Sequence, residues 1–250
     1  NALLIDLGGT NIRYAFFIKN TLLEISKEKI ADGDFISFLT KLLEGKKDKI
    51  DYLVIAAAGP NNQKFINLTN RDLLIDASEL KTQLDLKECL LLNDWEAVAQ
   101  SLSELNKECF LPIKSGTPSG ENTILIGPGT GLGVTLIIKG QIIPTEFGNT
   151  FSPTKSMLEN FDIKDNKTFF SLENILSGPG IEKLYEEKFE RKLSSEKIIS
   201  SALEGEKDEL YIIENFLRTL ISIINDLVLS FSCEKVILGG SILNALKPIL

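Results

Sequence analysis

The chain has 250 residues, 43% of them hydrophobic, and a formal net charge of −8 at pH 7, which suits one large or two small globular domains. The acidic balance argues against nucleic acid and anionic membranes as partners. Because the sequence contains no histidine, Ser-His-Asp and Cys-His catalysis and histidine-ligated metals are excluded within these residues.

The first predicted elements surround a glycine-rich turn. The apolar run Ala2–Leu7 predicts a buried strand, and residues 12–18 predict a second strand that returns antiparallel to it. Between them Gly8 and Gly9 let backbone N–H groups approach an anion without a Cβ in the way. Residues 22–30 predict a third strand.

A helix and a central strand come next. Phe35–Leu43 has helical spacing, with Asp34 placed as its N-cap. The continuous apolar run Tyr52–Ala57 is typical of a strand covered on both faces. A turn is predicted at residues 59–62, where glycine, proline and asparagines occur together.

The middle of the chain carries a short strand, a helix and a loop. Residues 88–92 predict the strand, and residues 95–105 predict a helical segment shortly after it. Residues 112–121 are rich in Gly, Ser and Pro, which predicts a surface loop near a domain boundary.

A second glycine-rich turn lies between predicted strands at residues 122–126 and Leu132–Ile138. Its glycines would weaken a strand unless they served a purpose: Gly127, Gly129, Gly131 and Gly133. A phosphate cradle and a plain hairpin with a bulge are the two interpretations. Both glycine turns carry a Gly-Thr pair, at Thr10 and Thr130, which indicates a polyphosphate held from both sides of a cleft.

The remainder, residues 171–230, is predicted to be mostly helical. One face of a long helix is traced by Leu210, Ile213, Leu217, Leu220, Ile224, Leu227 and Phe231. Lys235–Leu238 predicts a strand that ends at two glycines, with a helix beginning after them. Because strand–turn–strand with helices occurs twice, the sequence predicts two α/β halves with a cleft between them.

The cysteines and the lengths of the apolar runs indicate the cellular compartment in which we expect the protein. Cys89, Cys109 and Cys233 show no metal-binding spacing and lie among apolar residues, so we expect buried free thiols in a reducing compartment. No signal peptide is visible, and no apolar run is long enough to span a membrane.

Several segments together resemble the bacterial ATP-dependent glucokinases of the actin/hexokinase/Hsp70 superfamily. They occur in that family's order across nearly the whole chain, at residues 6–13, 92–99, 127–134, 176–180 and 236–241. The resemblance implies an α/β, two-domain actin-like ATPase (ribonuclease H-like) fold with a central interdomain cleft. The small domain would cover residues 1–104 and the large domain residues 105–250.

The activity implied by the resemblance is transfer of the ATP γ-phosphoryl group to the 6-hydroxyl of glucose, with Mg²⁺, in the cytoplasm. The resemblance assigns Asp94 as the general base that accepts the sugar hydroxyl's proton. The residues also fit a simple helix start, with Asn93 as N-cap and Glu96 completing a capping box. Both roles are compatible.

The sugar-binding residues implied by the resemblance are Asn70, Asn93, Asp94, Glu146, Asn149 and Glu173. Asn70 is alternatively a turn residue, and Glu146 an exposed loop carboxylate. Glu173 is alternatively in the first turn of a helix capped by Ser171. Asn149 stands where the family has histidine, which predicts weaker or altered sugar affinity.

The nucleotide would contact both glycine turns and a later glycine pair. The residues implied are Asp6, Gly8, Gly9, Thr10, Asn11, Arg13, Gly127, Gly129, Thr130, Gly131, Gly133, Gly239 and Gly240. Asp6 is predicted to hold Mg²⁺ through water, or to be a turn-forming aspartate. Arg13 would contact phosphate or a carboxylate, or be a paired strand residue. Gly239 and Gly240 would lie against adenosine, or form a strand–helix turn that needs small residues.

Other functions stay open at this point. They are a kinase for another hexose or an amino sugar, a non-catalytic sugar or nucleotide sensor, and an actin-like structural assembly. Family members usually continue for several tens of residues after the adenosine motif, so we expect the closing helix and strand to be absent here. By analogy with the family, the partners are glucose or a related hexose, ATP and a second copy of the chain, with no nucleic acid or membrane.

Overall fold

A computed structural model describes residues 1–8, 11–29, 35–44, 49–59, 64–68, 73–114, 116–117, 120–151, 154–164 and 167–250. Gly9, Thr10, Asp34 and Asn70 lie outside the described residues, as do Ile30 and most of the turn predicted at 59–62. The chain divides into two compact units, Asn1–Leu102 and Ser103–Leu250. Across the described ranges, no helix is both long and apolar enough to cross a membrane.

The first unit contains strands and helices in mixed order. Its strands are β1 (Ala2–Leu7), β2 (Asn11–Ile18), β3 (Thr21–Leu22), β4 (Ser26–Lys29), β5 (Tyr52–Ala57), β6 (Phe65–Asn67), β7 (Leu74–Asp76) and β8 (Glu88–Asn93). Its helices are α1 (Phe35–Leu43), α2 (Ala77–Gln83) and α3 (Asp94–Ser101). Within the described residues, the main sheet has the order β3-β2-β1-β5-β8, with β4 also paired to β2.

Strand direction in this sheet places three strand ends at one edge. β1 is antiparallel to β2 but parallel to β5, and β5 is parallel to β8. Leu7 pairs with Ala57, and Ala57 pairs with Asn93, so these residues form one row across the sheet. The segments that follow them therefore begin at the same carboxyl-terminal edge, where open α/β sheets bind ligands.

The core of this unit lies between the sheet and helices α1 and α2. Alternate residues of β1 and β5 point to the same side, because successive strand side chains face opposite ways. The buried residues of this sheet face include Leu3, Ile5, Leu7, Leu53 and Ile55, and the helices contribute Leu39 and Leu80. This packing fixes the strand register and hence the position of each strand end.

Several predicted bounds in this unit match, and others need correction. β1, α1 and β5 have the predicted bounds, and β2 returns antiparallel as expected. The single strand predicted at 22–30 is wrong, since β3 and β4 are two short strands that each pair with β2. The helix predicted over 95–105 is shorter, because α3 ends at Ser101.

The second unit is built on a smaller sheet. Its strands are β9 (Thr123–Pro128), β10 (Leu132–Ile138), β11 (Gln141–Thr145) and β12 (Lys235–Leu238). Its helices are α4 (Thr154–Glu159), α5 (Gly178–Phe189), α6 (Ser195–Leu203), α7 (Lys207–Phe231) and α8 (Ser241–Ala245), with short 3-10 turns at Lys107–Cys109, Phe147–Asn149 and Lys247–Ile249. Among the described residues the sheet order is β11-β10-β9-β12, with β12 parallel to β9 and the other pairs antiparallel.

Both sheets therefore share a hairpin beside a parallel strand, as the predicted architectural repeat requires. β1 and β2 form the hairpin in the first unit, with β5 parallel to β1. β9 and β10 form it in the second, with β12 parallel to β9. Each hairpin encloses one of the glycine-rich turns.

The core of the second unit packs helices α5, α6 and α7 against β9 and β10. On α7 the buried apolar positions are Ile212, Ile213, Phe216, Leu220, Ile223 and Leu227. The predicted stripe is therefore only partly right, since Leu210, Leu217 and Ile224 are partly buried and Phe231 is 40% exposed. The buried face of α7 is therefore centred nearer to Ile212 and Phe216 than the predicted stripe, and α7 contacts both α5 and α6.

The cysteine prediction also needs correction. Cys89 and Cys233 are buried free thiols as expected, but Cys109 is exposed. Cys109 ends the short 3-10 turn that begins at Lys107, and no residue of that turn is buried. Lys107 and Glu108 before it are charged, and Phe110 and Leu111 after it are themselves exposed, so no packed cluster forms around this thiol.

Candidate functional site

The first glycine turn lies at the carboxyl-terminal edge of the first sheet. The Gly8 N–H donates to the Asn11 carbonyl at 2.9 Å, which closes the turn between β1 and β2. Asn11 and Arg13 both lie on β2, and Asp6 lies on β1. The structure therefore brings together the described residues of the first predicted phosphate motif.

Asp6 and Arg13 are cross-strand partners. They are directly opposite in the antiparallel register, and Arg13 Nη1 donates to Asp6 Oδ2 at 2.8 Å. The interpretation of Asp6 as a turn-forming residue is wrong, since it lies within β1 and bonds a side chain of β2. Arg13 contacts a carboxylate and is a paired strand residue, which confirms two of the alternatives predicted for it.

Asn93 and Asp94 begin α3 directly after β8. Asn93 is 6% exposed, and its side chain accepts hydrogen bonds from the N–H groups of Trp95 at 2.9 Å and Glu96 at 3.4 Å. Glu96 Oε2 in turn accepts from the Asn93 N–H at 3.1 Å, so the predicted capping box is present. Asp94 Oδ1 accepts from the Trp95 N–H at 2.9 Å in the first helical turn, where negative charge is favoured.

The two predicted features of the first unit share one sheet edge. Asn93 lies in the row that contains Leu7, two strand spacings away, which is roughly 10 Å. Asp94 and the turn at Gly8 therefore follow two strands of this row that are separated by β5.

The second glycine turn is a regular hairpin. Gly127 pairs with Gly133 and Pro128 with Leu132 in unbroken register, so the bulge that was considered is absent from β9 and β10. The Gly129 N–H donates to the Gly131 carbonyl at 2.8 Å, and Thr130 is exposed at the tip.

Helix α5 begins against this turn. The Gly178 N–H donates to the Gly129 carbonyl at 2.8 Å. Ser177 is the N-cap of α5 and its Oγ accepts from the Gly180 N–H at 3.0 Å, with Pro179 in the first turn as expected for a structural proline. The family signature around Gly178 thus supports the glycine turn directly.

The glycine pair after β12 meets the same turn. The Gly239 N–H donates to the Ile126 carbonyl at 3.0 Å. Gly240 has φ +87°, and a Cβ there would lie 2.4 Å from the Pro128 carbonyl oxygen. Only glycine fits this approach, so Gly240 keeps two predicted nucleotide-binding segments side by side.

The predicted sugar-binding residues of the second unit are also adjacent. Asn149 Nδ2 donates to Glu146 Oε2 at 3.1 Å across the 3-10 turn Phe147–Asn149. The Glu173 N–H donates to the carbonyl of Gly148 at 2.8 Å. The helix start considered for Ser171 is wrong, because residues 171–177 form successive turns before α5.

One contact in this unit had no signal in the sequence. Glu173 Oε2 accepts a hydrogen bond from the Leu132 N–H at 3.0 Å, across 41 residues. The same oxygen lies 2.4 Å from where a Cβ of Gly131 would be. A predicted sugar ligand therefore lies directly against the second glycine turn.

The described residues bring few metal-ligating side chains together. Within the described ranges, no group of three or more His, Cys, Asp or Glu side chains is arranged to hold a metal ion. Asp6 offers one carboxylate at the edge where phosphate binding is predicted, with Oδ2 bonded to Arg13. This fits Mg²⁺, which is usually held by one or two carboxylates, waters and substrate phosphates.

The chain is similar to known proteins over nearly its whole length. The family model described as "Glucokinase" matches residues 3–250. A "Glucokinase-like protein" of Xylella fastidiosa is 29% identical, covering 98% of this chain and 81% of the relative. The glucokinase of Zymomonas mobilis is 28% identical, covering 95% of this chain and 81% of the relative.

Solved structures give the fold. A glucokinase from Balamuthia mandrillaris in complex with glucose superposes with a TM-score of 0.74 at 22% identity, covering 96% of this chain and 79% of that one. A ROK family glucokinase from Streptomyces griseus in complex with glucose and AMPPNP has a TM-score of 0.69 at 16% identity, covering 99% of this chain and 87% of that one. The predicted α/β, two-domain actin-like ATPase fold is thereby confirmed. With its family model matched over nearly its whole length, the chain belongs to the glucokinase family.

Proposed function

We propose that this protein is an ATP-dependent glucokinase, which transfers the γ-phosphoryl group to the 6-hydroxyl of glucose. The observation that carries the proposal is the shared sheet edge of the first unit, where Asp94 and the turn at Gly8 follow strands joined in one row. Phosphoryl transfer needs a base and a phosphate-binding segment near one another, and this edge supplies both. Family membership supports the reaction class.

In this proposal Asp94 is the general base. Its carboxylate accepts the proton of the 6-hydroxyl as the oxygen attacks the phosphorus, and the bond from phosphorus to the ADP oxygen breaks. The capping box of Asn93 and Glu96 holds the start of α3, so the carboxylate has a fixed position.

The proposal assigns the sugar to carboxylates and side-chain amides. Asn93 and Asn70 are assigned to it in the first unit, and the second contributes Glu146, Asn149 and Glu173. The bond between Asn149 and Glu146 supports a shared role in the second unit. Hydroxyl recognition by planar carboxylates and amides sets orientation as well as affinity.

The proposal assigns the nucleotide to backbone N–H groups of the glycine-rich segments in each unit. In the first motif the proposal assigns it Gly8, Gly9, Thr10, Asn11 and Arg13, and Asp6 would hold Mg²⁺ through water. Bound Mg²⁺ supplies charge neutralisation on the phosphates. In the second unit the assigned residues are Gly127, Gly129, Thr130, Gly131 and Gly133 for phosphate and Gly239 and Gly240 for adenosine.

Two features of the proposal rest on the family alone. They are the central cleft between the domains and assembly as a homodimer. We place the reaction in the cytoplasm, consistent with the free thiols Cys89, Cys109 and Cys233.

Asn149 favours a second candidate, a kinase for another hexose or an amino sugar. Its amide replaces the histidine of the family motif and bonds Glu146, which changes what the site presents to a sugar. A sugar sensor without catalysis is the third candidate.

A hexose panel separates these candidates. Full-length protein, Mg-ATP and each sugar in turn are assayed for ADP with a coupled enzyme system. We expect the highest kcat/KM with glucose. A higher value with another hexose or an amino sugar favours the second candidate. Tight glucose binding without any ADP favours the sensor.

A further inference from the structure

The backbone of Leu132, at the end of the second glycine turn, has close neighbours at both its N–H and its carbonyl oxygen. Its N–H donates to Glu173 Oε2 at 3.0 Å. Its carbonyl oxygen lies close to Gly148, where a Cβ would approach it to 2.3 Å. The Leu132 N–H is therefore bonded to Glu173, while its carbonyl oxygen is packed closely against Gly148.

Glu173 is itself fixed from two directions. Its backbone N–H donates to the Gly148 carbonyl at 2.8 Å, which places it beside the segment of Glu146 and Asn149. Its carboxylate lies over Gly131, where a Cβ would come within 2.4 Å of Oε2. Gly131 thus leaves room for the carboxylate to reach Leu132.

A carboxylate has two oxygens and accepts several hydrogen bonds at once. Oε2 of Glu173 is used by the Leu132 N–H, and among the described residues no hydrogen bond is found at Oε1, which is the oxygen available for a sugar hydroxyl. A single side chain therefore contacts the backbone of the nucleotide-binding turn and, under the proposed function, the sugar.

We propose that Glu173 is a positioning residue of the second glycine turn as well as a sugar ligand, and that it couples sugar affinity to nucleotide affinity. This inference rests on the proposed function. A hydroxyl bonded to Oε1 restricts the carboxylate to the rotamer that binds Leu132, which reduces the ordering cost of the turn when phosphate binds. Coupling of this kind is reciprocal, so each ligand raises the affinity for the other by the same factor.

The test measures nucleotide binding without sugar, using Mg-AMPPNP and isothermal titration calorimetry on the full chain. Glu173→Ala removes the acceptor for the Leu132 N–H, and we expect affinity to fall about 10-fold, as for loss of one charge-assisted hydrogen bond. Glu173→Gln keeps an amide oxygen for that N–H, so we expect a change below about 3-fold. Asp76→Ala is the matched control, because Asp76 accepts from the Ser78 N–H at 2.8 Å far from the turn in sequence and in the first unit. It should leave nucleotide affinity unchanged.

Gly131→Ala approaches the same contact from the other side. A Cβ at this position must displace the Glu173 carboxylate, so its effect on Mg-AMPPNP affinity should not add to that of Glu173→Ala in a double-mutant cycle. This variant also keeps the test informative if Glu173→Ala does not fold.

Coupling is measured by repeating the titrations with saturating glucose. We expect glucose to raise wild-type affinity for Mg-AMPPNP by about 5-fold or more, and this factor to approach one in Glu173→Ala. If Glu173→Ala and Gly131→Ala bind Mg-AMPPNP without sugar as tightly as the wild type does, the inference is overturned and Glu173 is a sugar ligand only.

Amide hydrogen exchange at Leu132 separates this inference from the proposed function. Faster exchange at Leu132 in Glu173→Ala supports the positioning role in the free protein. If the wild type binds no Mg-AMPPNP, the proposed function fails and the coupling fails with it, whatever the exchange at Leu132 shows. If the wild type binds nucleotide but exchange and affinity do not change, only the inference fails.

Discussion

Arg13 and Asp6 face each other across the hairpin of β1 and β2, with Arg13 Nη1 donating to Asp6 Oδ2 at 2.8 Å. Their side chains are 55% and 49% exposed, so the ion pair adds at most about 1 kcal/mol to stability. Its importance lies in where it holds the carboxylate, beside the first glycine turn.

Arg13→Gln should therefore weaken nucleotide binding more than it weakens the fold. We expect the Kd for Mg-AMPPNP to rise roughly 10-fold, the effect of one hydrogen bond to a charged group, while the free energy of unfolding changes by less than about 1 kcal/mol. Lys87→Gln is the control, since Lys87 Nζ pairs with Asp51 at 3.0 Å before the amino ends of β8 and β5. Equal effects of the two variants on Kd would argue against a role for Arg13.

Asp94→Asn should abolish most turnover while preserving the fold. Loss of a general base typically lowers kcat by about 10²–10⁴-fold, and glucose binding should persist because the amide is isosteric with the carboxylate. Trp95, the only tryptophan of the sequence, lies next to Asp94, so its fluorescence reports glucose binding in both proteins. Asp85→Asn, at an exposed turn paired with Lys49, is the control and should keep normal kcat. Near-normal kcat in Asp94→Asn would remove this residue from its role.

Asn149→His restores the residue that the family motif carries. We expect the KM for glucose to fall by up to about 10-fold, the effect of one strengthened hydrogen bond. An imidazole with an ordinary pKa near 6.5 should also make KM depend on pH around neutrality. Gln141→His adds histidine at the start of β11 as a control. An unchanged KM in Asn149→His would show that residue 149 does not limit sugar affinity.

Thiol labelling should distinguish one cysteine from the other two. Burial raises the pKa of Cys89 to about 12 and also raises the pKa of Cys233, so both stay protonated and shielded, whereas Cys109 is exposed. With Ellman's reagent at mildly alkaline pH, one of the three thiols should react in the native protein and all three after denaturation. Cys109→Ser should remove the native signal. Fast native labelling of that variant would contradict the burial of Cys89 and Cys233.

At acidic pH, the free energy of unfolding should depend on the ionisation of Asp162. Tyr211 donates its hydroxyl to Asp162 Oδ2 at 2.9 Å and Lys188 Nζ lies 3.1 Å from the same oxygen, and both hold the pKa of Asp162 below its ordinary 3.8. Because the folded pKa is the lower one, this stabilisation is fully present above the unfolded pKa and is lost as pH falls through the folded pKa.

Asp162→Asn should thus lower the urea midpoint at neutral pH, with the difference from wild type shrinking as pH falls below 3.8. Asparagine tolerates the backbone at this position, where φ is 51°, so the carboxylate charge is the main change. A difference that stays constant across the pH range would assign the effect to packing instead.

Local patterns predicted the strands and turns that carry the candidate site. β1, β5, β10 and β12 have the predicted bounds because each is a short, mainly apolar run with a glycine or a polar residue at or close to its end. The capping box at Asn93 was equally visible, since its two partners are three residues apart.

Contacts between distant residues could not be predicted in the same way. The bond from the Leu132 N–H to Glu173 spans 41 residues, and no periodicity or spacing encodes it. β6 and β7 have three residues each and are defined by pairing with one another rather than by an apolar pattern. The buried face of α7 depends on which elements pack against it, and the exposure of Cys109 depends on whether the apolar residues that follow it are packed.

Phosphorus NMR of a reaction mixture detects the proposed product itself. Full-length protein is incubated with Mg-ATP and glucose, and the sugar phosphate is identified beside ADP, with Asp94→Asn in parallel. We expect glucose 6-phosphate from the wild type in amounts equal to ADP, and almost none from Asp94→Asn. A wild-type protein that binds glucose and ATP yet forms no sugar phosphate would contradict the proposed function.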